Sequence, residues 1–328
     1  MRFTFVLFLL SLMVACGDPG PGDGLPHGDD DDTEGQWIEP PDGPSLRIET
    51  PEMTLPPGEE VFWCYFGTFP EDLSVNRMRV QTTSPFLHHT LLKEVPPEIE
   101  GYPDGEMVPC EPLGEWWASS PTMFETAGGT ADYLFNLPEG VAFQIREGQR
   151  YVVDSHYLNL TDEALVGKVV YDLHLVDPED VEYVAGTFNH DIGDLNIPTG
   201  GLTTLFGDCS WDHQVTILNM GPHMHAHGAQ YAVDWLRPDE EAERILFVED
   251  WLPEYREEPP LIDFAPGELV VEAGEVFRTW CTWDNETEDP LTFPEEMCTT
   301  FGVAYPLEEN WFCDALPPDE GKGPPEGG

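Results

Sequence analysis

Apolar residues along this chain come in short runs, and no long stretch shows the 3.6-residue recurrence of an amphipathic helix. The runs "EEVFWCYFGTF", "NRMRVQTTSPFLHHTLLKEV", "QRYVVDSHYLNL", "GKVVYDLHLVD", "QVTILNMGPHMHAHGAQYAVDWL", "RILFVEDW" and "GEVFRTWCTWDN" read as strands, punctuated by Pro, Gly and Asp clusters. This pattern predicts an all-β protein of sandwich or barrel architecture. No internal repeat is visible. The charged segment 177–182, inside "VDPEDVEYVAG", separates two strand-rich halves and marks a candidate domain boundary.

The ends follow different rules. "MRFTFVLFLLSLMVAC" has Arg2, an apolar run too short to stay across a bilayer, and the small Ala15 before Cys16. It reads as an export signal over residues 1–16 and resembles a bacterial lipobox, with Met13 where Leu is usual. That resemblance implies cleavage before Cys16, a lipid on its sulfur, and anchoring of the exported chain in the cell envelope. Gly17 in the next position favours the outer membrane. Residues 17–45 are Gly, Pro and Asp with almost nothing apolar, and the tail 316–328 is similar. Neither can bury a core, so both are expected to be disordered. The intervening residues suffice for one large or two medium domains, and the candidate boundary would divide them at 46–180 and 181–315.

Charge narrows the partners. Sixty-four acidic against 13 basic side chains give a formal charge of −51. No basic patch is available to neutralise phosphates, which excludes nucleic acid.

Candidate chemistry lies in the histidines and cysteines. "GPHMHAHG" places His223, His225 and His227 at alternate positions. On a strand the three rings would share a face. Two of them can hold a metal if a third ligand arrives from elsewhere; the other reading is a polar strand face. His88 and His89 are adjacent in "FLHHTLL", and can share a metal only where the strand kinks or one ring uses its other nitrogen. His156 lies in "VVDSHYLN", while His27, His174, His190 and His213 are scattered. Setting Cys16 aside leaves Cys64, Cys110, Cys209, Cys281, Cys298 and Cys313. An even number in an exported chain suggests three disulfides, in any of 15 connectivities. Met297, next to Cys298, either fills a core gap or offers a soft thioether that favours Cu(I).

Taken in order, four segments carry a resemblance: "FLHHTLL", "LPEGVAFQIREGQRYVVDSHYLN", "CSWDHQVTILNMGPHMHAHG" and "CTWDN…EEMC". Over most of residues 46–315 the chain resembles the copper type II, ascorbate-dependent monooxygenases, the group of peptidylglycine α-hydroxylating monooxygenase and dopamine β-monooxygenase. The resemblance implies two tandem jelly-roll-type β-sandwich domains with a cleft between them. It implies two coppers per chain. His88, His89 and His156 would hold an electron-transfer copper, and His223, His225 and Met297 a catalytic one, with His227 flanking. It implies disulfides Cys64–Cys110, Cys209–Cys313 and Cys281–Cys298. The implied activity is hydroxylation of an aliphatic C–H bond of a small-molecule substrate, with O₂ and ascorbate or another one-electron reductant.

The chain departs from the peptide-amidating branch at the substrate anchors. Gly221 stands where that branch has an Arg, and Thr299 and Phe301 stand where it has Asn and Tyr. A peptide ending in Gly is therefore a poor candidate for the substrate. The departure also leaves room for a non-catalytic copper-binding lipoprotein, for storage or sensing. A zinc hydrolase built on the His-x-His strand is the remaining rival, and no Glu or Asp base is placed for it by a motif.

Overall fold

A computed structural model describes residues 38–84, 86–113, 122–126, 132–256, 258–293 and 295–315. The export signal, Cys16, His27, most of the tether and the tail lie outside these residues. Among the described residues the protein is all-β, with three 3-10 turns and no α-helix. The first half comprises β1 Ser45–Glu49, β2 Met53–Leu55, β3 Glu60–Thr68, β4 Leu73–Thr82, β5 Leu87–Glu94, β6 Met107–Pro109, β7 Thr122–Thr126, β8 Asp132–Asn136, β9 Val141–Ile145, β10 Arg150–Leu158, β11 Leu165–Gly167 and β12 Val169–Leu175. The second half comprises β13 Tyr183–Ile192, β14 Gly201–Ser210, β15 Val215–His223, β16 Gly228–Leu236, β17 Glu243–Val248, β18 Ile262–Asp263, β19 Leu269–Val271, β20 Val276–Asn285, β21 Thr299–Tyr305 and β22 Trp311–Ala315.

One long sheet runs through both halves in the order β1-β12-β4-β9-β13-β21-β15-β18. The join is parallel pairing of β9 with β13, which sets Val141 opposite Tyr183 and Phe143 opposite Ala185. A five-stranded sheet, β6-β3-β10-β5-β7, belongs to the first half, and a four-stranded sheet, β14-β20-β16-β17, to the second. Each encloses a core with the long sheet. Val75, Val80, Phe143 and Tyr171 meet Leu92, Phe124 and Val153 in the first. Phe188, Ile217 and Met220 meet Tyr231, Phe277 and Trp283 in the second. Buried large side chains such as these contribute roughly 1.5–3 kcal/mol each.

The cysteines bond in the pairing that the family resemblance implies: Cys64–Cys110, Cys209–Cys313 and Cys281–Cys298. Cys64–Cys110 sits in a small separate cluster with Phe66, Val95 and Val152. Cys281–Cys298 closes a separation of 17 residues, and a loop of about that size gains about 3 kcal/mol in the chain-entropy model.

The structure also shows a repeat that the sequence hides. β10 lies between β3 and β5, and β20 between β14 and β16, all antiparallel. Each central strand runs into the same turn. Asn159 Oδ1 accepts from the Thr161 amide (3.0 Å) and hydroxyl (2.7 Å). Asn285 Oδ1 accepts from the Thr287 amide and hydroxyl at the same distances. Both Asn side chains are fully buried and donate to carbonyls of a distant segment, Leu55 and Ile197 respectively. Local Asx turns of this kind need only an Asn and a Thr two residues on, too little to register as sequence similarity.

Candidate metal centres

The first histidine cluster is made by a β-bulge. On the β5–β10 ladder His89 faces His156, but Leu87 faces Tyr157, and the register shifts between His156 and Tyr157. His88 is thus the extra residue. Successive side chains of a regular strand diverge, whereas a bulge re-aims one of them. This is the kink that adjacent histidines require in order to share a ligand. One nitrogen from each of His88, His89 and His156 lies within 4.8 Å of the other two. The ring centroids are 4.9 Å apart for His89 and His156 and 5.0 Å for His88 and His156. His156 is 2% exposed and His89 9%.

Neighbouring groups set the rings' orientation. His156 stacks on Phe62 of β3, with centroids 4.0 Å apart and the planes 10° from parallel. Its Nε2 lies 2.7 Å from Glu60 Oε1. His88 Nε2 lies 3.1 Å from Glu258 Oε1. A carboxylate oxygen only accepts, so each Nε2 carries its hydrogen and the lone pair stays on Nδ1. His88 Nδ1 is buried with no hydrogen-bond partner. A histidine whose outer nitrogen is held by a carboxylate and whose inner nitrogen is left bare is the usual form of a metal ligand.

The second cluster departs from the strand expectation. β15 ends at His223, and β16 begins at Gly228. His225 and His227 lie in the turn between them, so alternation along one strand does not align the three rings. His223 and His225 nonetheless come together, with centroids 5.1 Å apart and planes at 88°. His225 Nδ1 lies 3.0 Å from the Glu295 carbonyl oxygen; a carbonyl also only accepts, which leaves the lone pair of His225 on Nε2.

Glu296 organises this turn. It is fully buried. Its carboxylate accepts the backbone N–H of His225 (2.9 Å), the backbone N–H of His227 (2.7 Å) and the indole N–H of Trp283 (3.0 Å). Met297 follows it, and Cys298 is bonded to Cys281. Thr299 then lies opposite His223 on β15 and opposite Asp191 on β13. Met297 is half-buried and lines a cavity of about 480 Å³ with Asp191, Phe293 and Thr299; His223 and His225 are not among its walls. Burial raises the pKa of Asp191; the Thr299 hydroxyl opposes the shift and Asp314 adds to it.

Three further histidines among the described residues are engaged elsewhere. His174 contacts Arg77 at 2.7 Å, His190 contacts the Thr279 hydroxyl at 3.1 Å, and His213 lies 3.0 Å from the Pro306 carbonyl. Sequence reasoning missed Glu60, Glu258 and Glu296. Only Glu296 had a local signal, its place beside Met297 and Cys298.

No family model matches the chain, and no curated protein does. Solved structures similar to it include the infectious bursal disease virus VP2 subviral particle, at 10% identity, covering 83% of this chain and 74% of that one, with a TM-score of 0.19. The Gt strain of the same virus gives 10% identity over 83% of this chain and 75% of that one, with a TM-score of 0.17. Scores at this level carry no argument about architecture or function.

Proposed function

We propose that the chain is a copper-dependent monooxygenase that hydroxylates an aliphatic C–H bond of a small molecule. The observation that carries the reading is the bulge at His88, which gathers three imidazole nitrogens within 4.8 Å of one another. Three imidazoles, two of them with carboxylate-held outer nitrogens, fit copper, and they also fit zinc. The choice of copper rests on the second set, His223 and His225 with the sulfur of Met297, because a thioether is a soft donor that favours Cu(I). Bound copper would supply one-electron redox chemistry and oxygen activation, with electrons drawn from ascorbate or another one-electron donor. The family's two sandwich domains with an intervening cleft belong to the same reading.

The chain's own residues do the positioning. Glu60 and Phe62 fix the ring of His156, and Glu258 fixes that of His88. Glu296 holds the backbone of the turn that carries His225. At Gly221, a Cβ would meet Leu261 Cδ2 at 2.5 Å and Phe301 Cζ at 2.9 Å. An apolar plug therefore fills the position two residues before His223, and an Arg there would need both neighbours to move. This supports a substrate that is not anchored by a carboxylate at that point. The same plug is what favours the second reading, a copper-holding protein that turns nothing over.

Elemental analysis of the oxidised chain loaded with copper should give two coppers, and His156→Ala should give one. Zinc retained in preference to copper in the presence of Cu(I) would overturn the proposal. Oxygen uptake with ascorbate and a panel of uncharged substrates then separates the enzyme from the non-catalytic copper protein.

A further inference from the structure

The segment between β17 and β18 touches both histidine clusters. At one end the Trp251 indole N–H donates to the backbone carbonyl of His225 (3.0 Å), and the Trp251 amide donates to the Ala229 carbonyl (2.9 Å). The chain then turns through the 3-10 segment Pro253–Arg256, and the Glu258 amide closes the turn on the Glu254 carbonyl (2.9 Å). Glu258 reaches His88 of the first half. Beyond it, β18 pairs with β15, the strand that ends at His223. A segment anchored at both ends beside the second cluster thus supplies an outer partner to the first.

We propose that Glu258 is a positioning residue for His88, and that metal at the first cluster fastens segment 251–262 of the second half onto the first half. The inference rests on the reading that His88, His89 and His156 hold copper. The physical argument is local. His88 is the bulged residue, so the strand ladder constrains its side chain least. It is also the most exposed of the three, its side chain 23% exposed. Glu60 and the Phe62 stack already hold His156 from within the first half, whereas the carboxylate holding His88 comes from the other half. A metal drawing on Nδ1 makes Nε2–H a better donor, which strengthens the bond to Glu258. The same bond in reverse orients the ring for the metal.

The test is Cu(I) affinity of the full oxidised chain, by competition with a chromophoric Cu(I) chelator, for wild type, Glu258→Ala, Glu258→Gln and His156→Ala. His156→Ala identifies which copper belongs to the first cluster. Glu258→Ala should weaken that copper about tenfold, the low end of what removing such an outer partner costs, and leave the other copper unchanged. Glu258→Gln keeps an acceptor for Nε2–H and should fall between. Glu258 is 44% exposed, so the unfolding midpoints of all the Glu258 variants should match wild type. Hydrogen exchange across 251–262 should slow when wild type takes up first-site copper, and should not respond in Glu258→Ala. Unchanged Cu(I) affinity in Glu258→Ala overturns the positioning role while the copper reading stands. Weaker affinity with metal-independent exchange in wild type overturns the fastening. If His156→Ala holds as much copper as wild type, the copper reading fails and this inference with it.

Discussion

In the first half, all three histidines of the cluster sit on two hydrogen-bonded neighbours, β5 and β10, and one bulge turns the third ring inward. In the second half's set, only His223 is on a strand; His225 is in a turn, and Met297 lies on the approach to β21. Both halves use the same three-strand frame with the same Asn-x-Thr turn. They differ in what holds the side chains. A strand ladder fixes its residues through the backbone, so the first cluster needs carboxylates only to aim the rings. The second cluster is built on irregular chain, whose polar backbone must be satisfied by something else. Here the buried Glu296 carboxylate accepts two of its N–H groups and the Trp251 indole donates to the His225 carbonyl, while the Cys281–Cys298 disulfide tethers the segment beside Met297. The comparison teaches that the second half's candidate site is inseparable from its local folding, whereas the first half's is added onto a ladder that stands without it.

The comparison breaks most visibly at Glu296. Glu296→Ala leaves two backbone N–H groups and the fully buried indole of Trp283 without an acceptor. Hydrogen bonds to a charged group contribute roughly 1.5–3 kcal/mol each, and buried orphan donors add their own penalty. The expected loss is about 4–5 kcal/mol, read from denaturant midpoints, a size reserved for broken buried networks. Glu296→Gln keeps one accepting oxygen and should lose less. In the first half, Glu60→Ala removes a half-exposed carboxylate and should cost well under that. Equal losses at the two positions would erase the distinction.

Acid provides the next contrast. Each half carries a buried histidine outside the clusters, His174 on β12 and His190 on β13. Burial and Arg77 lower the pKa of His174, and Asp42 and Asp172 oppose them. His190 meets hydroxyls: Thr279 contacts it at 3.1 Å, and Thr300 and Tyr231 continue the chain. Burial pushes its pKa from 6.5 down to about 4. Between these values the unfolded chain binds a proton that the folded chain does not, so stability falls as pH drops from 6.5 and levels off below 4. The full loss is about 3 kcal/mol. Denaturation at pH 7 and pH 4.5, followed by the tryptophans of the second core, should show most of this loss in wild type. His190→Gln, neutral throughout and still able to bond Thr279, should flatten it. A profile unchanged in His190→Gln would move the acid sensitivity to another group.

How much of this was legible follows the same division. Apolar runs bounded by turn residues gave the all-β class, because burial on a pleated surface has a short-range signature. The paired histidines and the His-x-His triplet stood out as residue types, but the bulge that makes His88 usable did not. A bulge is a count of residues against a partner strand, and the partner, β10, lies far along the chain. The triplet's regular spacing pointed to one strand, and the strand stops at His223. Glu60 contacts His156 across 96 positions, and Glu296 contacts His225 across 71. Such long-range polar contacts leave no trace in periodicity, and in a chain with 64 acidic residues one carboxylate does not stand out from another.

The smallest expected effect on stability is the most informative about chemistry. Met297 is half-buried beside Cys298, and Ile replaces its volume closely. Swaps that conserve volume usually cost under about 1.5 kcal/mol, so Met297→Ile should fold, keep the Cys281–Cys298 disulfide and hold the copper proposed for His88, His89 and His156. A residue that merely lines the cavity with Asp191 and Phe293 would leave no other mark. A ligand would. The thioether is the only soft donor assigned to either set, so reduced wild type should show copper–sulfur scattering in X-ray absorption and Met297→Ile should lose it, with oxygen-dependent turnover falling steeply. The first half serves as the internal control, because its three nitrogens give no sulfur signal in either protein. Reduced wild type without copper–sulfur scattering, or an unchanged signal in the Ile variant, would make Met297 a packing residue. The second cluster would then be a pair of histidines on a well-held turn, with nothing to select copper.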